Sequence, residues 1–128
     1  MRFSYKKAPA GEYFPVIDFV VAFGTKVERT SALIDSGATI SVFKDELAEE
    51  LGIKIEKGEE TYLGGVGGRI KGYIHELEIE VAGKRFSVPV VFSHEYLVSF
   101  NLLGRDRFFG NFRIIFEERE NFLEIEGV

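Results

Sequence analysis

Apolar residues recur at short, regular intervals along this chain, and the interval is that of β-strands rather than helices. The longest example is Arg69–Val81. Its apolar residues are mostly two apart with charges between them: Ile70, Ile74, Leu77, Ile79 and Val81. The pattern predicts a long strand with one buried face and one face in water.

Other apolar runs predict two hairpins and several further strands. Phe14–Phe23 and Lys26–Ile34 flank the turn Gly24-Thr25. The remaining predicted strands are Ile40–Phe43, Glu60–Leu63 and Phe86–Phe92, with a final hairpin of Phe112–Phe116 and Phe122–Ile125. Pro89 cannot donate to a ladder, so its strand is expected to lie partly at a sheet edge. Asp18 interrupts its strand and is expected on the solvent side or at an edge.

Helical signals are confined to two short segments. Lys44–Leu51 places Leu47 and Leu51 on one face, has acidic residues in its first turn and ends before Gly52. Arg105–Phe109 predicts a short helical turn. Many short strands with one short helix predict an all-β fold, a small closed or nearly closed barrel.

Composition narrows the class of protein. The length of 128 residues predicts a single domain, residues 1–128. The net charge of −5 and the lack of a basic patch argue against nucleic acid and against an anionic membrane surface as partners.

Cysteine usage and hydropathy bear on chemistry and location. The chain contains no cysteine, which excludes disulfides, thiolate zinc sites and thiol catalysis. No signal peptide is recognisable, and no window approaches the ~20 apolar residues of a membrane helix. These features predict a soluble, cytoplasmic protein.

The most informative local feature is a carboxylate at the end of an apolar strand. Ala32-Leu33-Ile34 is followed directly by Asp35-Ser36-Gly37 and Ala38. Charged groups are rarely buried unless they are paired. Asp35 is therefore either a surface turn residue, since Asp, Ser and Gly favour turns, or a carboxyl held beside a partner.

Two later segments add to this one. A glycine-rich hairpin tip lies between two predicted strands: Gly64, Gly65, Val66, Gly67 and Gly68. It is either a flexible loop or a functional one; a phosphate loop is excluded because a strand follows and no Gly-Lys-Ser/Thr is present. The third segment is Asn101–Asp106, which contains Leu102, Leu103 and Gly104.

Together, and in this order, the three segments resemble the retropepsin-like aspartic proteases, single-lobe relatives of pepsin that work as homodimers. The family pattern is an apolar run, Asp-Thr/Ser-Gly-Ala, a flap hairpin, and two apolar residues with Gly before a short helix. The resemblance implies a two-fold homodimer, peptide or protein substrates, a flap, and neither metal nor organic cofactor.

The resemblance also implies roles for the active loop. Asp35 would be the catalytic acid and base, and the Ser36 hydroxyl would bond to the partner loop. Gly37 would allow close backbone approach, and Ala38 would leave room for substrate. Only one such triplet occurs in the chain, so a dyad needs Asp35 of a second subunit.

The other two segments receive supporting roles. Residues Gly64–Gly68 would form the flap that closes over an extended peptide, with Val66 as the apolar residue that touches the substrate. Residues Leu102–Gly104 would pack beneath the active loop as structural support. The interpretation from these residues is an aspartic endopeptidase; a non-catalytic peptide-binding or dimerisation module of the same fold is the alternative.

Some positions depart from the family pattern. Thr39 stands where some viral members carry an acidic residue, so Arg105 must find any ion-pair partner elsewhere. In viral members both chain ends interleave into the dimer sheet, whereas a charged hairpin, Phe112–Ile125, ends this chain and favours a different contact. His75 and His94 lack metal-ligand spacing and are expected at the surface or at a polar rim.

Overall fold

The chain folds into twelve strands and one short α-helix, as a computed structural model covering residues 1–128 shows. The strands are β1 Arg2–Ser4, β2 Lys6–Lys7, β3 Tyr13–Phe14, β4 Val16–Phe23, β5 Lys26–Ile34, β6 Ser41–Phe43, β7 Glu59–Gly65, β8 Gly68–Val81, β9 Lys84–Phe92, β10 Asn101–Leu103, β11 Phe112–Glu117 and β12 Phe122–Gly127. The helix α1 is Asp45–Glu50. Short 3₁₀ turns cover Ile55–Lys57, Phe109–Asn111 and Glu118–Glu120.

The largest sheet closes on itself. Its strand order is β4-β5-β10-β6-β9-β8-β7, and β4 also pairs with β8. That closing contact is antiparallel, with Val20 opposite Glu80 and Val21 opposite Ile79. Closure leaves β7 outside the ring, attached only to β8. The predicted all-β closed barrel is therefore confirmed.

Period-two alternation places the core inside this ring. Along β4, Ile17, Phe19 and Val21 are almost fully buried, while Asp18 between them is exposed and pairs with Lys6 at 2.6 Å. β8 alternates in the same way, with Leu77, Ile79 and Val81 buried. The solvent-side position predicted for Asp18 is confirmed.

A second, three-stranded sheet has the order β1-β12-β11 and packs against the barrel. Phe112, Leu123 and Ile125 from this sheet belong to the same core cluster as the barrel residues. The C-terminal hairpin was predicted, but β1 was not, because three residues are too few to show an alternation. Both ends of the chain thus lie in a sheet made by one subunit.

Two prolines interrupt strand pairing in different ways. The predicted strand Phe14–Phe23 is wrong in its continuity, since Pro15 separates β3 from β4 and β3 pairs with β2 instead. Pro89 pairs with Glu76 of β8 on one side, while β6 joins the other side of β9 only from Val90 onward. The edge position predicted for Pro89 is confirmed.

The helical predictions are largely confirmed. The helix α1 is one residue shorter at each end than predicted, with Lys44 and Leu51 as its caps, and it buries Leu47 and Ala48. The helical turn predicted at Arg105–Phe109 is a hydrogen-bonded turn that leads into the 3₁₀ turn Phe109–Asn111. Neither the α-helix nor any 3₁₀ turn has the length and apolar character needed to cross a bilayer.

Candidate active site

Asp35 lies at the point where β5 leaves the barrel. β10 runs parallel to β5, with Leu103 opposite Ile34, the last residue of that strand. The backbone N–H of Asp35 then donates to the carbonyl oxygen of Leu103 at 3.0 Å. The backbone that carries the Asp35 carboxylate is therefore held against β10, although Asp35 itself lies one residue beyond the end of β5.

The loop that follows turns back on its own carboxylate. Ala38 N–H donates to the Asp35 carbonyl at 3.2 Å, and Gly37 N–H donates to Asp35 Oδ1 at 2.9 Å. A Cβ on Gly37 would lie 3.2 Å from that same Oδ1, closer than is comfortable. Asp35 is half-buried, and Ser36 and Gly37 are exposed. One carboxylate oxygen is thus oriented by the loop itself.

The segment after β10 lies directly beneath this loop. Gly104 N–H donates to the buried Ser41 Oγ at 3.0 Å, and Arg105 N–H donates to the Ala38 carbonyl at 2.8 Å. A Cβ on Gly104 would lie 2.6 Å from the backbone of Ile40. Only glycine allows the two backbones to approach this closely.

Asn101 is a supporting residue that sequence reasoning did not assign. It is 8% exposed, and its Oδ1 accepts the Lys44 N–H at 2.7 Å. Its Nδ2 donates to the Ser31 carbonyl at 3.0 Å. The side chain therefore joins β5 and β10 to the start of α1. A buried amide immediately before the Leu-Leu-Gly segment is the signal that could have identified it.

The glycine-rich tip is the end of the β7–β8 hairpin. Gly65 pairs with Gly68, which leaves Val66 and Gly67 as the turn residues. Gly67 has a φ of 99°, which a type II turn requires at this position. Val66 is fully exposed at the apex. The hairpin predicted around Gly64–Gly68 is present.

A cleft of about 740 Å³ lies between the active loop and this hairpin. Its walls come from the active loop, the hairpin tip and the segment Glu95–Val98. That segment was not assigned a role from the sequence. Leu97 is 91% exposed and Val98 is 48% exposed, so apolar surface lies open in the cleft. Two apolar residues in a loop between strands are the signal that could have identified the segment.

Tyr96 is the residue of this segment whose pKa responds to the charge of Asp35. Its hydroxyl donates to the Phe100 carbonyl at 2.7 Å. Burial, and to a lesser extent the negative charge of Asp35, raise the pKa of Tyr96 to about 12. The phenol therefore stays protonated across the physiological range and keeps its hydrogen bond.

The same segment is tied to the base of the hairpin. Ser93 Oγ donates to the Lys71 carbonyl at 2.5 Å, and the Lys71 N–H donates to Glu95 Oε2 at 3.1 Å. Glu95 N–H donates back to Ser93 Oγ at 3.1 Å. Two hydrogen bonds thus link the two walls of the cleft, and the third holds the Ser93–Glu95 turn itself.

The two histidines lie in different surroundings. His94 is exposed, with Nε2 at 2.8 Å from Glu56 Oε1 and Nδ1 at 3.4 Å from Asp45 Oδ2. His75 is half-buried and its Nε2 bonds to the Ile55 carbonyl at 2.8 Å. The Arg105 side chain is exposed near the active loop. No group of three or more potential metal ligands converges anywhere in the chain.

Residues 20–106, which contain the active loop, the hairpin tip and Gly104, match a family model described as aspartyl protease. No curated protein matches the sequence significantly.

Solved structures that resemble the chain include two proteases. The EIAV protease, solved in complex with an inhibitor, aligns with a TM-score of 0.57 and 21% identity over 72% of this chain and 82% of its own. A retropepsin-like aspartic protease from Rickettsia conorii aligns with a TM-score of 0.67 and 18% identity over 96% of this chain and 97% of its own. At these identities the likeness establishes a shared fold.

Proposed function

This chain belongs to the aspartyl protease family and has the retropepsin-like fold, and from that premise we propose that it is an aspartic endopeptidase acting as a homodimer. Asp35 of each subunit supplies one carboxyl group to a shared dyad. Residues 1–128 form one protease domain in each subunit.

The chemistry requires two carboxyl groups in contact. Peptide hydrolysis needs a base that activates water and an acid that protonates the departing nitrogen. Two adjacent carboxyl groups share one proton because like charges so close cannot both ionise, as is known for aspartic-protease dyads. The pair then supplies the base and the acid at once, and it titrates as a unit.

The surrounding segments serve binding and support. The Gly64–Gly68 hairpin acts as a flap that closes over an extended peptide and excludes water, with Val66 against the substrate. Gly37 and Ala38 leave space beside the carboxylate, and the Ser36 hydroxyl reaches the loop of the partner. Leu102, Leu103 and Gly104 hold the active loop from beneath.

The observation that carries the proposal is the position of Asp35. Its carboxylate lies in a cleft of about 740 Å³, held at one oxygen by Gly37 N–H and facing the flap. The substrates are peptides, because an open, largely apolar cleft between the active loop and the hairpin suits a chain that is bound in extended form.

The first test is Asp35→Asn, which keeps the shape of the side chain and removes its acid and base function. We expect cleavage of a peptide library to fall by at least about 10³-fold while the fold and assembly are retained. Circular dichroism and sedimentation check the fold and assembly. Asp18→Asn, in an exposed aspartate outside the cleft, is the matched control and should keep activity.

Two outcomes separate the alternatives. Hydrolysis retained by Asp35→Asn would end the protease proposal. A wild-type dimer that binds peptides or statine-type inhibitors but cleaves nothing at acid or neutral pH would identify a binding module instead.

The cytoplasmic location is also a proposal. It rests on the absence of cysteine, which suits a reducing compartment. Cell fractionation with the full-length protein tests it.

A further inference from the structure

The terminal sheet has one well-formed free edge. β11 pairs with β12 on one side only, over all six of its residues. Ile115 and Phe116, near its end, are each 37% exposed. A strand of this length with apolar side chains and unpaired backbone groups is a template for pairing with another chain.

The backbone groups on that free edge can be assigned from the ladder. Met1 and Ile125 exchange two hydrogen bonds, of 2.8 and 2.9 Å, so Ile125 faces β1. Alternate residues of β12 therefore face β11, and the bond from Val128 N–H to the Asn111 carbonyl fits the same alternation. It follows that three residues of β11 direct N–H and C=O outward: Phe112, Ile114 and Phe116.

The other free edges are less suited to pairing. β1 has only three residues, and an exposed arginine, Arg2, is among them. β7 carries the adjacent carboxylates Glu59 and Glu60 and continues into the hairpin tip proposed as the flap. Short and charged edges are common devices against strand addition.

We propose that a second copy of this chain pairs with β11, antiparallel and edge to edge, about a two-fold axis at Ile115. The choice of occupant rests on the proposed function, since one chain carries only one Asp35 and its site is incomplete without another. Two three-stranded sheets would join into one of six strands. Both chain ends stay within their own subunit, so no exchange of termini is needed.

Charge complementarity favours one register. With the axis at Ile115, Arg113 lies directly opposite Glu117 of the partner subunit, twice by symmetry. A shift of the axis to residue 116 would set Arg113 against Arg119 of the partner subunit. An axis at residue 113 or 117 would oppose like charges across the axis itself.

Hydrogen bonding and packing agree with this register. Ile114 and Phe116 of the partner subunit form a hydrogen-bonded pair, because both direct their backbone groups outward. Ile115 meets its own copy in a non-hydrogen-bonded pair, where Cα atoms approach to about 4.5 Å. The exposed Phe116 then packs across from the half-buried Ile114 of the other subunit.

The first experiment places a cysteine on the proposed axis. The chain has no cysteine, so Ile115→Cys carries a single thiol. The expected Cα separation falls within the range of about 4.4–6.8 Å that a disulfide needs. We expect mild oxidation to give a covalent dimer rapidly and at low protein concentration. Val27→Cys, at a 63% exposed strand position in the barrel, is the control and should stay monomeric on a denaturing gel.

The second experiment reverses charges. Arg113→Glu would place Glu opposite Glu117 of the partner, and Glu117→Arg would place Arg opposite Arg113. Each single variant should weaken the dimer about tenfold or more in Kd, measured by sedimentation of the full chain. An equimolar mixture of the two should recover dimerisation as a heterodimer, since both cross-strand pairs are then of opposite charge.

The mixture also separates this contact from effects within one subunit. Arg113 lies opposite Glu126 of its own hairpin, so Arg113→Glu adds a local repulsion that mixing cannot relieve. Recovery on mixing therefore reports only on the contact between subunits. Failure to recover would overturn the register.

Failure of this inference differs from failure of the proposed function. A dimer that cleaves peptides but shows neither the Ile115→Cys crosslink nor the charge effects would overturn the β11 contact and leave the protease standing. A crosslinked β11 dimer that cleaves nothing would support the contact and count against the protease. A strict monomer would overturn the contact.

Discussion

At the scale of single residues, the site depends on close approach of backbones as much as on Asp35. Gly37 brings its N–H to the carboxylate, and Gly104 lets the strand end beneath the loop reach Ile40. Ser41, fully buried, receives the Gly104 N–H. Each of these residues holds the loop in one conformation. A larger side chain at any of them is therefore expected to displace the Asp35 carboxylate.

Gly104→Ala tests this dependence. The new Cβ would lie 2.6 Å from the Ile40 carbonyl carbon and oxygen, both backbone atoms, so the loop must shift. We expect a loss of about 1–3 kcal/mol in the free energy of unfolding, measured by denaturant titration, together with lower activity. Gly110→Ala, where a Cβ meets nothing within 4 Å, is the matched control. Equal stability of the two variants would contradict the argument.

At the scale of elements, the cleft is built by two segments that the chain brings together from afar. The β7–β8 hairpin and the segment Glu95–Val98 form its walls, and bonds through Ser93, Lys71 and Glu95 join them. His94 begins the second wall and bridges to α1 at Asp45 and to a 3₁₀ turn at Glu56. The start of this wall is therefore held in place by His94 and its two carboxylate partners.

The pH dependence of this fastening follows from two shifts. The hydrogen bond to Glu56, and secondly the one to Asp45, raises the pKa of His94 above its ordinary value of 6.5. The stabilisation that protonated His94 gives to the folded wall is therefore complete below pH 6.5 and is lost as the pH rises through the raised pKa. The hydrogen bond from His94 lowers the pKa of Glu56 below 4.5. The stabilisation that ionised Glu56 gives to the folded wall is therefore complete above pH 4.5 and is lost as the pH falls through the lowered pKa.

We therefore expect amide protection in Glu95–Val98 to be greatest between pH 4.5 and 6.5. Hydrogen exchange, corrected for its intrinsic rate, should show less protection near pH 8.5, about two units above the ordinary pKa of histidine. His94→Gln should flatten the alkaline side of the profile. Unchanged protection at alkaline pH in the wild-type protein would show that His94 does not fasten the wall.

At the scale of the whole molecule, a closed barrel and a terminal sheet share one core. The barrel carries the active loop and the β7–β8 hairpin, while the sheet offers the edge of β11. Each chain provides one Asp-Ser-Gly, so activity as proposed belongs to the assembly rather than to the subunit. This ties catalysis to association in a way that dilution can test.

Specific activity should therefore fall as the protein is diluted below the dimer Kd, and the Tm should rise with protein concentration by mass action. Activity assays and thermal scans over an about thousandfold concentration range measure both effects. Added Asp35→Asn chains should lower wild-type activity by forming mixed dimers with one carboxyl. Constant specific activity throughout that range would contradict a dyad shared between subunits.

Local pattern was enough to predict most elements of this protein. The alternation in Arg69–Val81 specifies a strand because successive side chains of a strand point to opposite faces of the sheet. The apolar run before Asp35 specifies a second, more buried strand. The single Asp-Ser-Gly, its order relative to the glycine-rich tip, and the helix before Gly52 are also properties of the sequence alone. They were sufficient for the barrel and the family.

Pairing between distant segments needed the tertiary structure. Met1 bonds to Ile125 across 124 positions, and β4 meets β8 to close the barrel. The placement of Tyr96 near Asp35 and of Asn101 between strands also depends on which elements become neighbours. The spacing of apolar residues along a strand indicates which of its faces is buried. Which other element covers that face depends on how the whole chain packs.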